Sequence, residues 1–172
     1  MNFELTEQQQ HIVNQAREFT AKRLAPGVVE RDETSTFPID AFKEFGSMGM
    51  YGLCYPKEFG GTGLGYVPYI LAVEEVSKVD ASFGIAFSVN TSLYGGSIMY
   101  STADAEQKKR FLSPIASGQA IGSFGLTEHS AGSDAAGQKT IAEKDGDSYI
   151  LNGTKIFNTN GPLADYTVVY AL

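Results

Sequence analysis

The chain has 172 residues, 42% hydrophobic and 19% charged, a folding composition with room for one domain core or for a helical domain with part of a second. Its net charge is -7 and its Lys and Arg residues are scattered, which excludes nucleic acid and anionic membrane surfaces as expected partners, although backbone N–H groups can still receive an anionic cofactor. Cys54 is the only cysteine, so there is no intrachain disulfide and no multi-cysteine metal site, and it reads as a small buried hydrophobe.

The first residues, Met1-Asn2-Phe3-Glu4-Leu5, lack the basic flank and apolar core of a leader, and no transmembrane stretch follows, so a cytoplasmic location is expected. Thr6 and Gln9 have capping-box spacing, and Ile12, Val13, Ala16, Phe19 and Leu24 recur at helical period, predicting a helix over residues 7–24 that Pro26-Gly27 stops. A second helix opens at Pro38, turns Ala41, Phe42 and Phe45 inward and ends between Gly46 and Gly49. Residues 55–65 are too rich in glycine for helix or strand. Helical spacing returns over 67–78 and again over 81–100, where Gly84, Gly95 and Gly96 would let something approach the helix closely. Asp104 caps a short helix over 105–116, with Pro114 in its last turn.

After Gly118 the texture becomes β. Segments 121–126, 139–143, 148–151, 155–158 and 166–171 have strand-like content, separated by turn residues such as Asp145-Gly146-Asp147 and Asn152-Gly153, the second being a strong hairpin signal. The last segment runs apolar to the chain end, which predicts an unprotected sheet edge and a truncated chain.

Two segments carry candidate chemistry. Leu126-Thr127-Glu128-His129-Ser130-Ala131-Gly132-Ser133-Asp134 is dense in hydroxyls and small residues and suits anion cradling, although composition alone favours an ordinary polar loop. In Asn152-Gly153-Thr154-Lys155-Ile156-Phe157-Asn158-Thr159-Asn160-Gly161, Phe157 and Thr159 would share one face of a strand, a ring beside a hydroxyl, as a planar ligand requires; taken alone they read as a core aromatic and a turn residue.

These two segments, in this order, are similar to the acyl-CoA dehydrogenase pattern Leu-Thr-Glu-Pro-x-Ala-Gly-Ser-Asp followed by Asn-Gly-x-Lys-x-Trp-Ile-Thr-Asn-Gly. Pro56 to Gly63 also resembles the family's Pro-x-x-Phe-Gly-Gly-x-Gly loop, and Glu74-Glu75 with Asp80-Ala81-Ser82 resembles its mid-domain helix junction. The resemblance covers essentially the whole chain and leans toward the short-chain, butyryl-CoA type.

It implies an α+β chain: an all-helical N-terminal domain (1–119), then the first strands of an antiparallel, β-barrel-like middle domain (120–172), with the family's C-terminal helical domain absent. It implies FAD as cofactor, with Phe124, Leu126 and Thr127 along the flavin, Gly132 and Ser133 at the pyrophosphate, and Phe157, Asn158 and Thr159 meeting the ring from the second segment. Ser133 would also reach acyl-CoA, and Ile85, Val89 and Leu93 would line the acyl pocket.

His129, Phe157 and Asn158 stand where the family has proline, tryptophan and isoleucine; phenylalanine keeps the aromatic face and loses the indole N–H. The implied reaction is oxidation of acyl-CoA to trans-2-enoyl-CoA, with electrons passing to an electron-transferring flavoprotein and the complete enzyme a dimer or tetramer. The family's catalytic glutamate lies in its C-terminal domain, so no catalytic residue and no metal ligand is expected in this chain, which would be inactive alone, and the resemblance gives Glu128 a structural role. Acyl-CoA oxidases and flavin monooxygenases share the fold and stay open as alternatives, as does a cofactor-free helical interaction module.

Overall fold

The computed structural model describes residues 4–172; the leader reading at Met1, Asn2 and Phe3 lies outside the described residues. Helix α1 (Glu7–Phe19) starts on the expected capping box, in which the Gln9 N–H donates to Thr6 Oγ1 (3.2 Å) and the Thr6 N–H to Gln9 Oε1 (3.0 Å). It buries Ile12, Val13, Ala16 and Phe19, then widens into a π turn (Thr20–Leu24), where the Ala25 N–H reaches back to Thr20 O.

Helix α2 (Val28–Thr34) was not predicted, and no residue of it is buried, so the hydrophobic periodicity that marks a helix is absent. Arg31 tethers it. The guanidinium donates to Leu24 O (2.6 Å) and Pro26 O (2.8 Å), the orphan carbonyls behind α1, and pairs with Asp80 at 3.0 Å. Asp80 in turn caps α5 (Ala81–Ser88) by accepting the Phe83 N–H.

Helices α3 (Ile39–Ser47), α4 (Tyr66–Ser77) and α5 surround the core. Phe42, Phe45, Tyr51, Phe83 and Phe87 have essentially no exposed surface, and their rings meet edge to face: Phe42–Phe83 at 5.3 Å and 64°, Phe45–Phe87 at 5.3 Å and 83°. The glycine-rich segment 55–65 folds back on the chain before it, through Thr62 N–H to Gly52 O and Leu64 N–H to Leu53 O, both 2.9 Å.

The helix expected over 81–100 forms, with its middle a π segment (Val89–Gly95) between α5 and α6 (Gly96–Met99). What the small residues admit is now identified: Gly84 abuts the Ser77 side chain and Gly95 the Tyr55 phenol, with no space for a Cβ at either. The Tyr55 hydroxyl donates to Thr91 O, a carbonyl that also receives the Gly96 N–H in the π pattern. A side chain inserted into the helix ladder is a physical cause of such a bulge. Helix α7 (Ala105–Ala116) follows its Asp104–Gln107 capping box and carries Pro114.

The strands form two pairs. β2 (Ile141–Asp145) and β3 (Ser148–Asn152) are antiparallel, and their turn lies at Gly146-Asp147, where Gly146 has φ 59°. Asn152-Gly153 therefore ends a strand and closes no hairpin. β1 (Gly122–Gly125) and β4 (Tyr166–Val169) pair in parallel, Gly122 opposite Tyr166, so the antiparallel arrangement expected of these strands holds for β2–β3 and not for this pair: a connection this long permits the crossover that parallel strands need. Residues 155–158 are not a strand. The final segment does not lie unpaired, because Leu172 exchanges hydrogen bonds with Thr140 and Ala142 (2.9 and 2.8 Å).

No described helix is long and apolar enough to cross a membrane, and no metal-binding cluster of three or more His, Cys, Asp or Glu occurs among the described residues. Cys54 is half buried, and burial pushes its thiol up to about 11, which keeps it protonated and inert at neutral pH.

Candidate cofactor site

Strand β1 delivers the chain into the loop 126–134, and β3 delivers it into the loop 153–161; the two loops lie side by side. The Ile156 N–H donates to Thr127 O at 2.9 Å, and Lys155 Nζ donates to Leu126 O at 2.9 Å. Leu126 and Thr127 are thus held through their carbonyls, and Phe157 follows one residue after the bond to Thr127. The first loop then turns tightly at His129-Ser130, both exposed, between reciprocal Glu128–Ala131 hydrogen bonds.

Glu128 faces inward. Lys155, the Thr140 hydroxyl and the N–H groups of Lys139 and Thr140 all donate to it, and the Lys155 ammonium and Thr140 hydroxyl lead in holding its carboxyl down at about 2. A carboxylate so stabilised is a poor proton acceptor at neutral pH.

Other groups in the loops are unused. The N–H groups of Gly132, Ser133 and Asp134 donate to no protein acceptor among the described residues, and the hydroxyls of Thr127 and Ser133 have no protein partner there. Gly132 opens on free space. Phe124 is half buried against Tyr170, with centroids 5.3 Å apart. Phe157 is 86% exposed at φ 58°, a left-handed conformation that is strained for a bulky side chain. The expected strand face shared by Phe157 and Thr159 does not exist, because this backbone reverses there. Asn158 Oδ1 is buried without a partner, and Thr159 O accepts the Ser123 hydroxyl at 2.9 Å.

The helix proposed to line the acyl pocket meets β1 directly. Asn90 Oδ1 accepts the Gly122 N–H at 2.7 Å, while Asn160 Nδ2 donates to both Ala86 O and Gly122 O at 3.1 Å. Ile85 and Leu93 are exposed on this helix and Val89 is buried. Sequence reasoning missed Asn90, Asn160 and Lys155 as anchors. Asn90 stands among Ser88, Thr91 and Ser92, which gave it no distinguishing signal; Lys155 matches the lysine of the family pattern, but its partner lies 27 residues away.

Free N–H groups, free hydroxyls, an uncovered ring and an orphaned acceptor on adjoining loops fit a large planar cofactor with a phosphate tail. Residues 6–119 match the acyl-CoA dehydrogenase N-terminal domain and residues 123–172 the acyl-CoA dehydrogenase middle domain. The chain is 43% identical, over its full length, to a short-chain specific acyl-CoA dehydrogenase of Clostridium acetobutylicum, of which it spans 45%. Among solved structures it is similar to butyryl-CoA dehydrogenase from Megasphaera elsdenii (TM-score 0.94, 43% identity, covering 100% of this chain and 46% of that one). It is likewise similar to a glutaryl-CoA dehydrogenase from Mycobacterium smegmatis in complex with FADH2 (TM-score 0.88, 40% identity, 97% and 43% coverage). With both halves of the chain matched and both of its loop motifs in the family's order, the chain belongs to the acyl-CoA dehydrogenase family.

Proposed function

We propose that the chain forms the N-terminal helical domain (1–119) and the opening of the middle domain (120–172) of an FAD-dependent acyl-CoA dehydrogenase. In this reading the enzyme oxidises short acyl-CoA thioesters to trans-2-enoyl-CoA and passes electrons to an electron-transferring flavoprotein. The carrying observation is the run of undonated N–H groups at Gly132, Ser133 and Asp134 beside the free Thr127 hydroxyl. Bound FAD would supply the hydride acceptor.

The chain's own residues then bind and orient. Gly132 and Ser133 offer backbone donors to a pyrophosphate, and Ser133 offers its hydroxyl to the acyl-CoA. Phe124, Leu126 and the Thr127 hydroxyl line the flavin from one loop, Phe157, Asn158 and Thr159 from the other. Covering Phe157 with a ligand ring would offset part of the strain it carries. Ile85, Val89 and Leu93 line the acyl chain's path. The base that takes the α proton is not among them: Glu128, the carboxylate inside the motif, already accepts four hydrogen bonds within the chain, and the family's C-terminal domain would supply the base. The complete enzyme is cytoplasmic and oligomeric in this reading.

Thr127→Val in the complete enzyme tests it. Valine keeps the shape and the β-branch and removes one donor, so the melting temperature should hold while flavin reduction slows by up to about a hundredfold, as for loss of one donor at a centre where negative charge develops. An unchanged reduction rate with FAD bound would remove Thr127 from the site.

A further inference from the structure

We propose that Glu128 and Lys155 are positioning residues of the cofactor site, their buried contact fixing the distance between the loop that carries Thr127 and Gly132 and the loop that carries Phe157. The inference rests on the FAD reading above. One residue stands in each loop, with Lys155 Nζ 2.7 Å from Glu128 Oε1 and the side chains only 7% and 6% exposed.

The contact is the centre of a closed network. All three ammonium protons are placed, on Leu126 O (2.9 Å), Glu128 Oε1 (2.7 Å) and Gln138 Oε1 (3.0 Å). On the carboxylate, Oε2 accepts the Lys139 N–H (2.6 Å), and Oε1 accepts the Thr140 N–H (2.9 Å) and hydroxyl (2.6 Å) as well as the ammonium. A buried polar network with every member satisfied favours one geometry strongly over its neighbours, because each displacement leaves a desolvated charge or donor unpaired.

Its reach explains the role. The Leu126 carbonyl is held by Lys155 and the Thr127 carbonyl by the Ile156 N–H, so the peptide planes on both sides of Thr127 are fixed by the second loop, and the direction of the Thr127 side chain follows. Phe157, two residues after Lys155, takes its left-handed backbone from the same anchored segment. The ammonium has no proton left to donate, and the carboxylate already accepts four hydrogen bonds from within the chain. Both therefore act through Thr127 and Phe157.

The test uses the flavin-loaded complete enzyme and two variants, Lys155→Met and the double variant Glu128→Gln/Lys155→Met. The readouts are melting temperature, FAD dissociation constant, visible circular dichroism of the bound flavin, and kcat and KM for a short acyl-CoA. Lys155→Met leaves a buried carboxylate without its counter-charge and should lower the melting temperature, in the extreme preventing folding. The double variant has no unpaired buried charge, so its melting temperature should return toward that of wild type. Its kcat should stay down by about a hundredfold, as expected for a site displaced by about an ångström, with altered flavin dichroism, weaker FAD binding and little change in KM. A double variant that regains kcat, FAD affinity and dichroism along with stability would show the pair to be merely structural and overturn the proposal. The wild type is read first: a complete protein that binds no FAD overturns the functional reading and this inference together, whereas flavin-loaded wild type with indifferent variants overturns this inference alone.

Discussion

In the helical part of the molecule, ring lies on ring: Phe83 alone has the rings of Phe19, Phe37, Phe42 and Phe45 between 5.3 and 6.2 Å away. In the β part the arrangement is reversed, with Ile141, Tyr149, Ile150 and Leu151 of the hairpin exposed and buried polar groups such as Glu128, Thr140 and Ser123 tying the loops together. The first region is held chiefly by apolar burial, although Val67, Ile70 and Ile85 on its surface stay exposed. The second is held by a few directional bonds and leaves its apolar and ligand-ready groups facing outward, so that its geometry is defined before its contacts are filled.

Three measurements would break or sharpen this contrast. Phe83→Ala should have the largest effect, about 3–5 kcal/mol lost from the urea unfolding free energy of the chain, because four neighbouring rings cannot collapse into the space. A loss below about 1 kcal/mol would mean that the cluster is not the core.

Acid comes next and should act on the β part. The carboxyl of Glu128 is held at about 2, first by Lys155, against an ordinary 4.5; since the folded value is the lower one, its contribution is fully present above 4.5 and is lost as pH falls from there toward 2. Amide protection factors at Lys139, Thr140 and Ile156, taken relative to the intrinsic exchange rate at each pH, should fall across that window before those at Phe83 or Phe87 do. In the helical part Glu75 is also held down, chiefly by its hydrogen bonds from Arg17, so a simultaneous loss in both regions would assign the acid sensitivity to Glu75 as well.

Leu151→Ser should have the smallest effect, within about 0.5 kcal/mol, because the side chain is exposed. A cost near that of Phe83→Ala would show that the hairpin packs on something within the chain.

The same contrast explains what could be read from the sequence. Capping boxes at Thr6 and Asp104 join residues three positions apart, and Phe42, Phe45, Phe83 and Phe87 mark inward faces by spacing, so the helices are legible locally. Helix α2 was not, because its anchor is Arg31 on Asp80, 49 residues away, and its own surface is polar. The π segment likewise depends on Tyr55 reaching Thr91. In the β part, Asn152-Gly153 has the chemistry of a hairpin turn, but Gly146-Asp147 takes that role. Residues 155–158 are apolar enough for a strand, yet Lys155 is drawn into the Glu128 network and Phe157 turns left-handed. Motif order located both loops; the charged pair that joins them, and the free N–H groups between, required coordinates.

The parallel pairing of β1 with β4 also sets an order of events during synthesis. Asp165, which accepts the Ile121 N–H at the start of this pairing, is made 44 residues after it, a delay of roughly 2–9 s at ordinary rates of chain elongation. Through that interval β1 has no strand to lie against, while helices α1 to α7, all of which precede it in the chain, are already free to assemble. Asn90 belongs to that earlier assembly and receives the Gly122 N–H in its buried amide. The helical domain thereby offers the first strand a buried acceptor that does not depend on β4.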